Sequence, residues 1–340
     1  MTLYERVIKI SMSLIKRITF SFLFICYLVI LALVLEFGSR IILPISAGVN
    51  RVSDNNDNVS SWLESNSSYY QVSSEFHKLV TVTKYGTRSV GNEGDLDSYA
   101  LFVGDSFTFG IGLSDEETIP YLVCKKLNIQ CINAGVPGTG LVAQRKVVRR
   151  IIEDFGPHAH LFYFPFLSVV SGHPGNDIND TASEAFLDNS KSPDPFIEGK
   201  KNMFGEVERW LSINSNLVRI LRYNIGNQLR EIRWKITEDS PANPTLYTEI
   251  LKSFIAELDR YDINTIIFQI SSVGEILNEN HIHTNAFLKN AAQKEVYMPV
   301  YDLSEVSHLF YSNDGHFNVR GAEFFAESII TEIRLSNLLL

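Results

Sequence analysis

The sequence predicts an α/β fold, a three-layer αβα sandwich in which helices cover both faces of a central parallel sheet of about five strands. From residue 99 onward, short β-branched and aromatic runs alternate with helical stretches, as in right-handed βαβ units. An apolar segment near the N-terminus and a basic, aromatic stretch in the middle stand apart from this alternation. The 340 residues, 45% of them hydrophobic, suffice for one domain of about 200 to 250 residues with an anchor and an insertion.

The predicted elements follow one another in a regular order. Each strand is a short run rich in Val, Ile, Phe or Tyr, and the helices have apolar residues at a spacing of three or four. In chain order we predict the strand YALFVG, a helix from about Glu116 to Leu127, the strand IQCINAG, a helix from about Leu141 to Asp154, the strand HLFYFPF, a helix near Tyr247 to Tyr261, the strands NTIIFQI and MPVYDL, and a final helix from about Val319 to Arg334. Ligands of such sheets bind at the carboxyl ends of the strands.

An uncharged segment precedes these elements. Residues 18–35 contain no charged side chain over 18 positions, which as a helix nearly crosses a hydrocarbon core of about 30 Å. Basic residues are more frequent before this segment than after it, so the positive-inside bias predicts a cytoplasmic N-terminus (1–17), a transmembrane helix (18–37) and a periplasmic or extracellular domain. A cleaved signal peptide and a buried core helix are the alternatives, disfavoured by the length of the apolar run and by its apolar character on every face.

Two other segments lack the alternation. Residues 38–75 are rich in Asn, Ser and Asp and predict a linker or stalk, which leaves 76–340 for the folded domain. Within that domain, about 181–245 predicts a helical insertion, because turn signals flank the basic and aromatic stretch ERWLSINSNLVRILRYNIGNQLREIRWK. Packing on the sheet edge, a substrate lid and a surface that rests on anionic headgroups all remain open as its role.

Composition excludes some classes of protein. The net charge of −9 argues against nucleic acid as a partner, since phosphate backbones bind clustered Lys and Arg. Three cysteines are too few for a disulfide scaffold or a four-thiolate metal site. Cys124 and Cys131 can either pair or remain as buried thiols, and the sequence leaves both possibilities open.

Four short motifs stand near the ends of predicted strands or before the last helix: GDSFTFG (104–110), NAGVPGTG (133–140), GND (175–177) and NDGHFN (313–318). A serine hydroxyl becomes a nucleophile when an imidazole takes its proton and a carboxylate orients that imidazole. Glycine-rich backbone and an Asn amide donate hydrogen bonds to an oxyanion without carrying charge. Each motif alone is also typical of an ordinary turn or a helix cap. Four of them in this order, at one edge of one sheet, indicate a hydrolytic site.

These motifs resemble the four blocks of the SGNH hydrolases, the GDSL-like esterases and acyltransferases, of the bacterial membrane-anchored type. The similarity covers about residues 76–180 and 246–334 and includes GIGLSDEETIP after the serine and FNVRGAEFFAESI after the histidine. The resemblance implies an SGNH, flavodoxin-like sandwich and a serine-dependent reaction. No cofactor is expected, because this chemistry needs neither a metal nor a nucleotide.

Carried over to this chain, the resemblance makes Ser106 the nucleophile and His316 the general base. It makes the N–H groups of Ser106 and Gly138 and the amide of Asn176 the donors of the oxyanion hole. The family's acid commonly lies three residues before the histidine, where this chain has Asn313.

Asp314 lies two residues before His316, a spacing similar to that of polysaccharide-acetylating relatives, and it is the predicted acid. Asn176 departs from the family pattern as well, because about ten residues separate it from its strand where the family usually has a few. Asn179 is its possible substitute, and His173 in the same loop is expected to be structural or solvent-facing.

The resemblance and the membrane segment together predict acyl ester hydrolysis or acyl transfer through an acyl-serine. The expected substrates are O-acetylated glycans of the cell envelope or exported glycans. A lysophospholipase or lipid esterase, and a catalytically inactive glycan-binding assembly subunit, are the alternatives. The membrane is the predicted partner of the N-terminal helix, and the sequence does not identify any protein partner.

Overall fold

A parallel sheet lies at the centre of the computed structural model, which describes residues 3–42, 51–52, 62–73, 75–91, 99–157, 159–165, 215–218, 220 and 244–336. The strands, in chain order, are β1 (Arg51–Val52), β2 (Trp62–Leu63), β3 (Ser68–Val72), β4 (His77–Thr81), β5 (Tyr99–Gly104), β6 (Cys131–Asn133), β7 (Ala159–Phe164), β8 (Asn264–Phe268) and β9 (Val296–Tyr297). The last five form the parallel sheet, in the order β6-β5-β7-β8-β9. Counted within the sheet this is 2-1-3-4-5, the flavodoxin-like order, so the predicted fold class is confirmed.

Helices pack on both faces of this sheet. The helices of the described residues, in chain order, are α1 (Leu3–Ile42), α2 (Ser106–Phe109), α3 (Ile119–Leu127), α4 (Leu141–Phe155), α5 (Pro244–Arg260), α6 (Val273–Leu277), α7 (Asn280–Ala292) and α8 (Val319–Ser336), with 3₁₀ turns at Asp115–Glu117 and Val306–Leu309. Side chains of β5 alternate between two hydrophobic cores, with Leu101 and Val103 facing α4, α5 and α7, and Ala100 and Phe102 facing α3 and α8. This period of two in a strand buried on both faces produces the three layers.

The start of α3 differs from the predicted position. The sequence predicted a helix from Glu116, whereas Asp115–Glu117 forms a 3₁₀ turn and α3 begins at Ile119. The Thr118 side chain accepts a hydrogen bond from the backbone N–H of Tyr121 and caps the helix, and Pro120 lies in its first turn. Capping by Thr and a proline in the first turn both favour this later start.

The N-terminal helix α1 is long and apolar. Within the described residues, Lys16–Ile42 is the one helical segment with the length and composition to cross a membrane. The helix is continuous from Leu3 to Ile42, so it extends on both sides of the segment 18–37 predicted to span the bilayer.

Folded strands occur on both sides of residue 76, where the sequence analysis placed the boundary between stalk and domain. β3 and β4 form an antiparallel hairpin in which Ser68 pairs with Thr81, and Gln71 in β3 is only 3% exposed. The Asn- and Ser-rich composition of the predicted stalk concealed this strand, because its inward-facing side chains include a polar Gln.

The predicted insertion at about 181–245 lies outside the described residues, apart from 215–218, 220 and 244–245. There, the Ser215 hydroxyl and the backbone N–H groups of Asn216 and Leu217 donate to the Glu36 carboxylate of α1, at 2.7, 2.8 and 3.0 Å. The described part of the insertion therefore contacts the C-terminal end of the apolar helix.

A disulfide joins α3 to β6. Cys124 and Cys131, whose pairing the sequence left open, are bonded, with their Cα atoms 6.2 Å apart. The bridge closes a short loop and ties a helix of one outer layer to the edge strand of the sheet.

Candidate active site

Ser106 lies at the first residue of α2, directly beyond the carboxyl end of β5. The Asp105 carboxylate caps this helix by accepting a hydrogen bond from the Phe107 N–H at 3.0 Å. Gly104 leaves no room for a side chain, since a Cβ there would lie 2.1 Å from Thr108 Oγ1 and 2.9 Å from the Phe164 carbonyl oxygen. The tight turn presents a half-buried Ser106 at the sheet edge where ligands of parallel sheets bind.

Ser106, His316 and Asp314 form a continuous chain of hydrogen bonds. Ser106 Oγ lies 2.7 Å from His316 Nε2, and Asp314 Oδ1 lies 2.5 Å from His316 Nδ1. The Phe107 ring packs against the imidazole, with the ring centroids 4.9 Å apart. This is the geometry of a nucleophile, a base and an orienting carboxylate. The structure brings all three predicted residues together.

The spacing of two residues between Asp314 and His316 depends on the turn that contains them. Gly315 has a φ of +83°, in the left-handed region where a side chain is disfavoured. The Tyr311 N–H donates to the His316 carbonyl at 2.8 Å, and the Gly315 N–H donates to the Tyr311 carbonyl at 3.0 Å. The carboxylate that reaches the imidazole is that of Asp314, and Asn313 does not occupy this position.

The glycine-rich motif after β6 packs against α2. A Cβ at Gly135 would lie 2.3 Å from the backbone nitrogen of Phe109, so this turn approaches α2 closely. Gly138 is exposed and has a φ of +67°. Neither the Ser106 N–H nor the Gly138 N–H has a hydrogen-bond acceptor within the described part of the chain. Both groups can therefore donate to an oxyanion.

The third predicted donor cannot be located in this site. Asn176, its possible substitute Asn179, and His173 all lie outside the described residues.

Asp105 is a second carboxylate close to His316. Burial raises the pKa of Asp105 to about 6, while the hydrogen bond from the Phe107 N–H and the charge of His316 act in the opposite direction. Unlike Asp314, it bonds the backbone of α2 rather than the imidazole.

Arg88 is a residue beside this site that the sequence analysis did not identify. Its side chain is 0% exposed, and its guanidinium donates to the carbonyls of Phe109, Gly110 and Leu113 at 2.7, 2.6 and 2.6 Å. It also donates to Asp115 Oδ1 at 3.1 Å. Burial lowers the pKa of Arg88, and the nearby Asp115 carboxylate raises it. Arg88 thus organises the loop after the nucleophile, and the available signal was a lone charge in the uncharged run YGTRSVG.

Glu75 was missed as well, because it lies in the segment assigned to the stalk. Its carboxylate accepts hydrogen bonds from the backbone of residues 312–314, next to the acid of the relay. Nothing in the local sequence pattern separates it from other surface glutamates.

Comparison with known proteins finds only distant structural similarity. No protein-family model and no curated protein matches the chain. A structure described as a lipolytic protein of the G-D-S-L family from Desulfitobacterium hafniense aligns at 11% identity and a TM-score of 0.40, over 69% of this chain and 99% of that one. An acetyl xylan esterase from the rumen bacterium Butyrivibrio proteoclasticus aligns at 13% identity and a TM-score of 0.35, over 73% and 66% respectively. The activity therefore has to be argued from the geometry of the site.

Proposed function

We propose that the chain is a serine-dependent esterase or O-acyltransferase of the SGNH type that works through an acyl-serine on Ser106. The observation that carries the proposal is the hydrogen-bonded relay from Ser106 Oγ through His316 to Asp314, at 2.7 and 2.5 Å. A serine whose only role is in a turn does not require an imidazole at hydrogen-bond distance. In an acyl transfer reaction, the imidazole takes the hydroxyl proton.

The first half of the reaction acylates the enzyme. His316 Nε2 takes the proton of Ser106 Oγ as Oγ bonds to the ester carbonyl carbon, and the carbonyl oxygen becomes an oxyanion. The N–H groups of Ser106 and Gly138 donate to that oxyanion, with the Asn176 amide as the proposed third donor. When the intermediate collapses, the ester C–O bond breaks and the protonated His316 gives its proton to the leaving alcohol.

The second half of the reaction releases the acyl group. Water or a sugar hydroxyl loses a proton to His316 and attacks the acyl carbon. When the bond between that carbon and Ser106 Oγ breaks, His316 returns the proton to Oγ, which completes either hydrolysis or transfer. Asp314 accepts the Nδ1–H of His316 throughout, which fixes the tautomer and stabilises the charged imidazole. The same residues serve both outcomes, and the acceptor decides between them.

The substrate class follows from the predicted location of the site. If α1 crosses the membrane with the basic N-terminus in the cytoplasm, the domain faces the periplasm or the exterior. O-acetyl groups on cell-envelope or exported glycans are then the esters that the site meets, and no nucleic acid or cofactor takes part.

A lipid ester is the second candidate substrate. The observation that favours it is the contact of Ser215, Asn216 and Leu217 with Glu36 at the end of α1, because this contact holds part of the insertion beside the proposed membrane helix. A preference for long acyl chains would support this substrate, and a restriction to acetyl esters would support glycans.

The test is hydrolysis of p-nitrophenyl acetate and of longer-chain p-nitrophenyl esters by the full-length protein in detergent. We expect the wild type to be active and Ser106→Ala to fall to background, because the nucleophile is removed. Full activity of Ser106→Ala would overturn the proposal. A folded wild type without activity on any ester, even with an acetylated glycan and a sugar acceptor present, would favour the inactive glycan-binding subunit.

A further inference from the structure

The turn of the β3–β4 hairpin reaches the loop that contains Asp314 and His316. The turn is closed by the Ser73 N–H, which donates to the Phe76 carbonyl at 2.9 Å. The Ser73 hydroxyl accepts from the N–H groups of Glu75 and Phe76 at 3.0 and 3.2 Å. These local bonds fix the backbone of Glu75, so its side chain extends from an ordered base.

The Glu75 carboxylate accepts hydrogen bonds from three successive backbone N–H groups. Oε1 accepts from Ser312 at 2.8 Å, and Oε2 accepts from Asn313 and Asp314 at 3.0 Å each. Successive N–H groups that converge in a turn form a concave site for an anion, and here the anion is a side chain of the same protein. Because one of the three donors is the N–H of Asp314 itself, Glu75 fixes the peptide that carries the proposed acid.

The same hairpin also contacts the loop after the nucleophile. The Phe76 ring packs on the Tyr311 ring with centroids 5.0 Å apart, and the Tyr311 hydroxyl donates to the Gly112 carbonyl at 2.8 Å. The Gly112 N–H in turn donates to Gln71 Oε1 at 2.9 Å. One hairpin is thus bonded to both loops between which Ser106 and His316 must meet.

We propose that Glu75 is a positioning residue that holds the 312–314 backbone, and through it Asp314 and His316, in register with Ser106. The inference rests on the proposed function, whose relay it supports, and it extends the set of functional residues to the hairpin. The hydrogen bonds that the Glu75 carboxylate accepts come from the backbone of residues 312–314 and not from Ser106 or the His316 imidazole, so Glu75 acts through the backbone beside the acid and is not itself a catalytic residue.

The experiment compares Glu75→Ala and Glu75→Gln with wild type in p-nitrophenyl acetate hydrolysis by the full-length protein. We expect Glu75→Ala to lower kcat by about 10- to 100-fold with KM changed less than about threefold, because misplacement of a catalytic group costs rate rather than substrate binding. Glu75→Gln keeps the shape and one acceptor oxygen, so it should retain an intermediate kcat. Glu116→Gln is the matched control, since Glu116 is exposed and has no hydrogen bond or ion pair within the described residues.

A second readout separates positioning from general stability. The proton between His316 Nδ1 and Asp314 should give a far-downfield ¹H NMR signal in the wild type and in Glu116→Gln, and the signal should be lost or broadened in Glu75→Ala at a temperature where thermal unfolding shows the variant folded. If Glu75→Ala does not fold, Glu75→Gln carries the same comparison with a smaller expected change. Wild-type kcat and an unchanged signal in the Glu75 variants would overturn the inference.

The outcomes also separate this inference from the proposed function. If Ser106→Ala remains active, the proposed function fails, whereas the NMR signal still reports whether Glu75 holds the His316–Asp314 pair. If Ser106→Ala is inactive and Glu75→Ala is as active as the wild type, the proposed function stands and the positioning role fails.

Discussion

The two loops that form the candidate site are held in opposite ways. The loop after Ser106 is held by a fully buried charge, the Arg88 guanidinium, which donates hydrogen bonds to three backbone carbonyls. The loop with Asp314 and His316 is held by a half-buried charge, the Glu75 carboxylate, which accepts hydrogen bonds from three backbone N–H groups. A buried charge has no water to replace a lost partner, whereas a half-buried one does. Substitution of the buried Arg88 should therefore lower the free energy of unfolding, whereas substitutions in the loop held by Glu75 should lower kcat.

The largest effect is expected for substitution of Asp314, the proposed acid in the loop held by Glu75. Asp314→Ala should lower kcat by about 10³- to 10⁴-fold, because His316 loses the carboxylate that fixes its tautomer. Asn313→Ala should stay within about fivefold of wild type, since Asn313 does not hold the imidazole Nδ1. Initial rates on p-nitrophenyl acetate measure both. Equal losses in the two variants would contradict the assignment of Asp314.

The second-largest effect is expected for the stability of the protein when the buried Arg88 is substituted. Arg88→Met should lower the free energy of unfolding by about 3 to 5 kcal/mol, because it removes the buried guanidinium that donates to the Phe109, Gly110 and Leu113 carbonyls and pairs with the Asp115 carboxylate. Arg88→Lys should restore little of this stability, since one ammonium cannot reproduce the planar set of donors. Urea unfolding followed by tryptophan fluorescence measures the change. If Arg88→Met lowered kcat but left the free energy of unfolding unchanged, the contrast between the two loops would be contradicted.

The smallest effect concerns Asp105, the buried carboxylate beside the relay. Its pKa in the folded protein is raised to about 6, so folding is favoured while the group stays protonated, and this stability is lost as the pH rises from about 4 through 6. Asp105→Asn keeps an acceptor for the Phe107 N–H and should stabilise the protein at pH 8 by on the order of 2 kcal/mol, with no gain near pH 4. Tm measured from pH 4 to pH 8 tests the sign. If the Tm advantage of Asp105→Asn over the wild type became smaller as the pH rises, the raised pKa of Asp105 would be contradicted.

Much of the fold and the centre of the site could be predicted from the sequence, for identifiable reasons. β5 is buried along its whole length and β7 at every position but His160, both strands are rich in apolar residues, and Ser106 lies two residues beyond the end of β5. Ser106 lies 210 positions from His316 and Asp314 only two, but all three residues have side chains of a recognisable chemical type.

Arg88 and Glu75 could not be predicted in the same way. Both act on backbone groups, which carry no residue-type signal, and their partners lie 21 to 25 and 237 to 239 positions away. The β3 strand was hidden by its polar composition, and the pairing of Cys124 with Cys131 depends on the angle at which α3 meets β6. Such features emerge only when the chain is folded.

The most direct test of the central claim is covalent labelling of the serine. Full-length wild type, Ser106→Ala and Asp314→Ala are incubated with a fluorophosphonate probe, digested and mapped by mass spectrometry. The relay predicts rapid labelling of the peptide that contains Ser106 in the wild type, much slower labelling in Asp314→Ala and none at that peptide in Ser106→Ala. Labelling at another serine, or the same labelling rate with and without Asp314, would contradict the account.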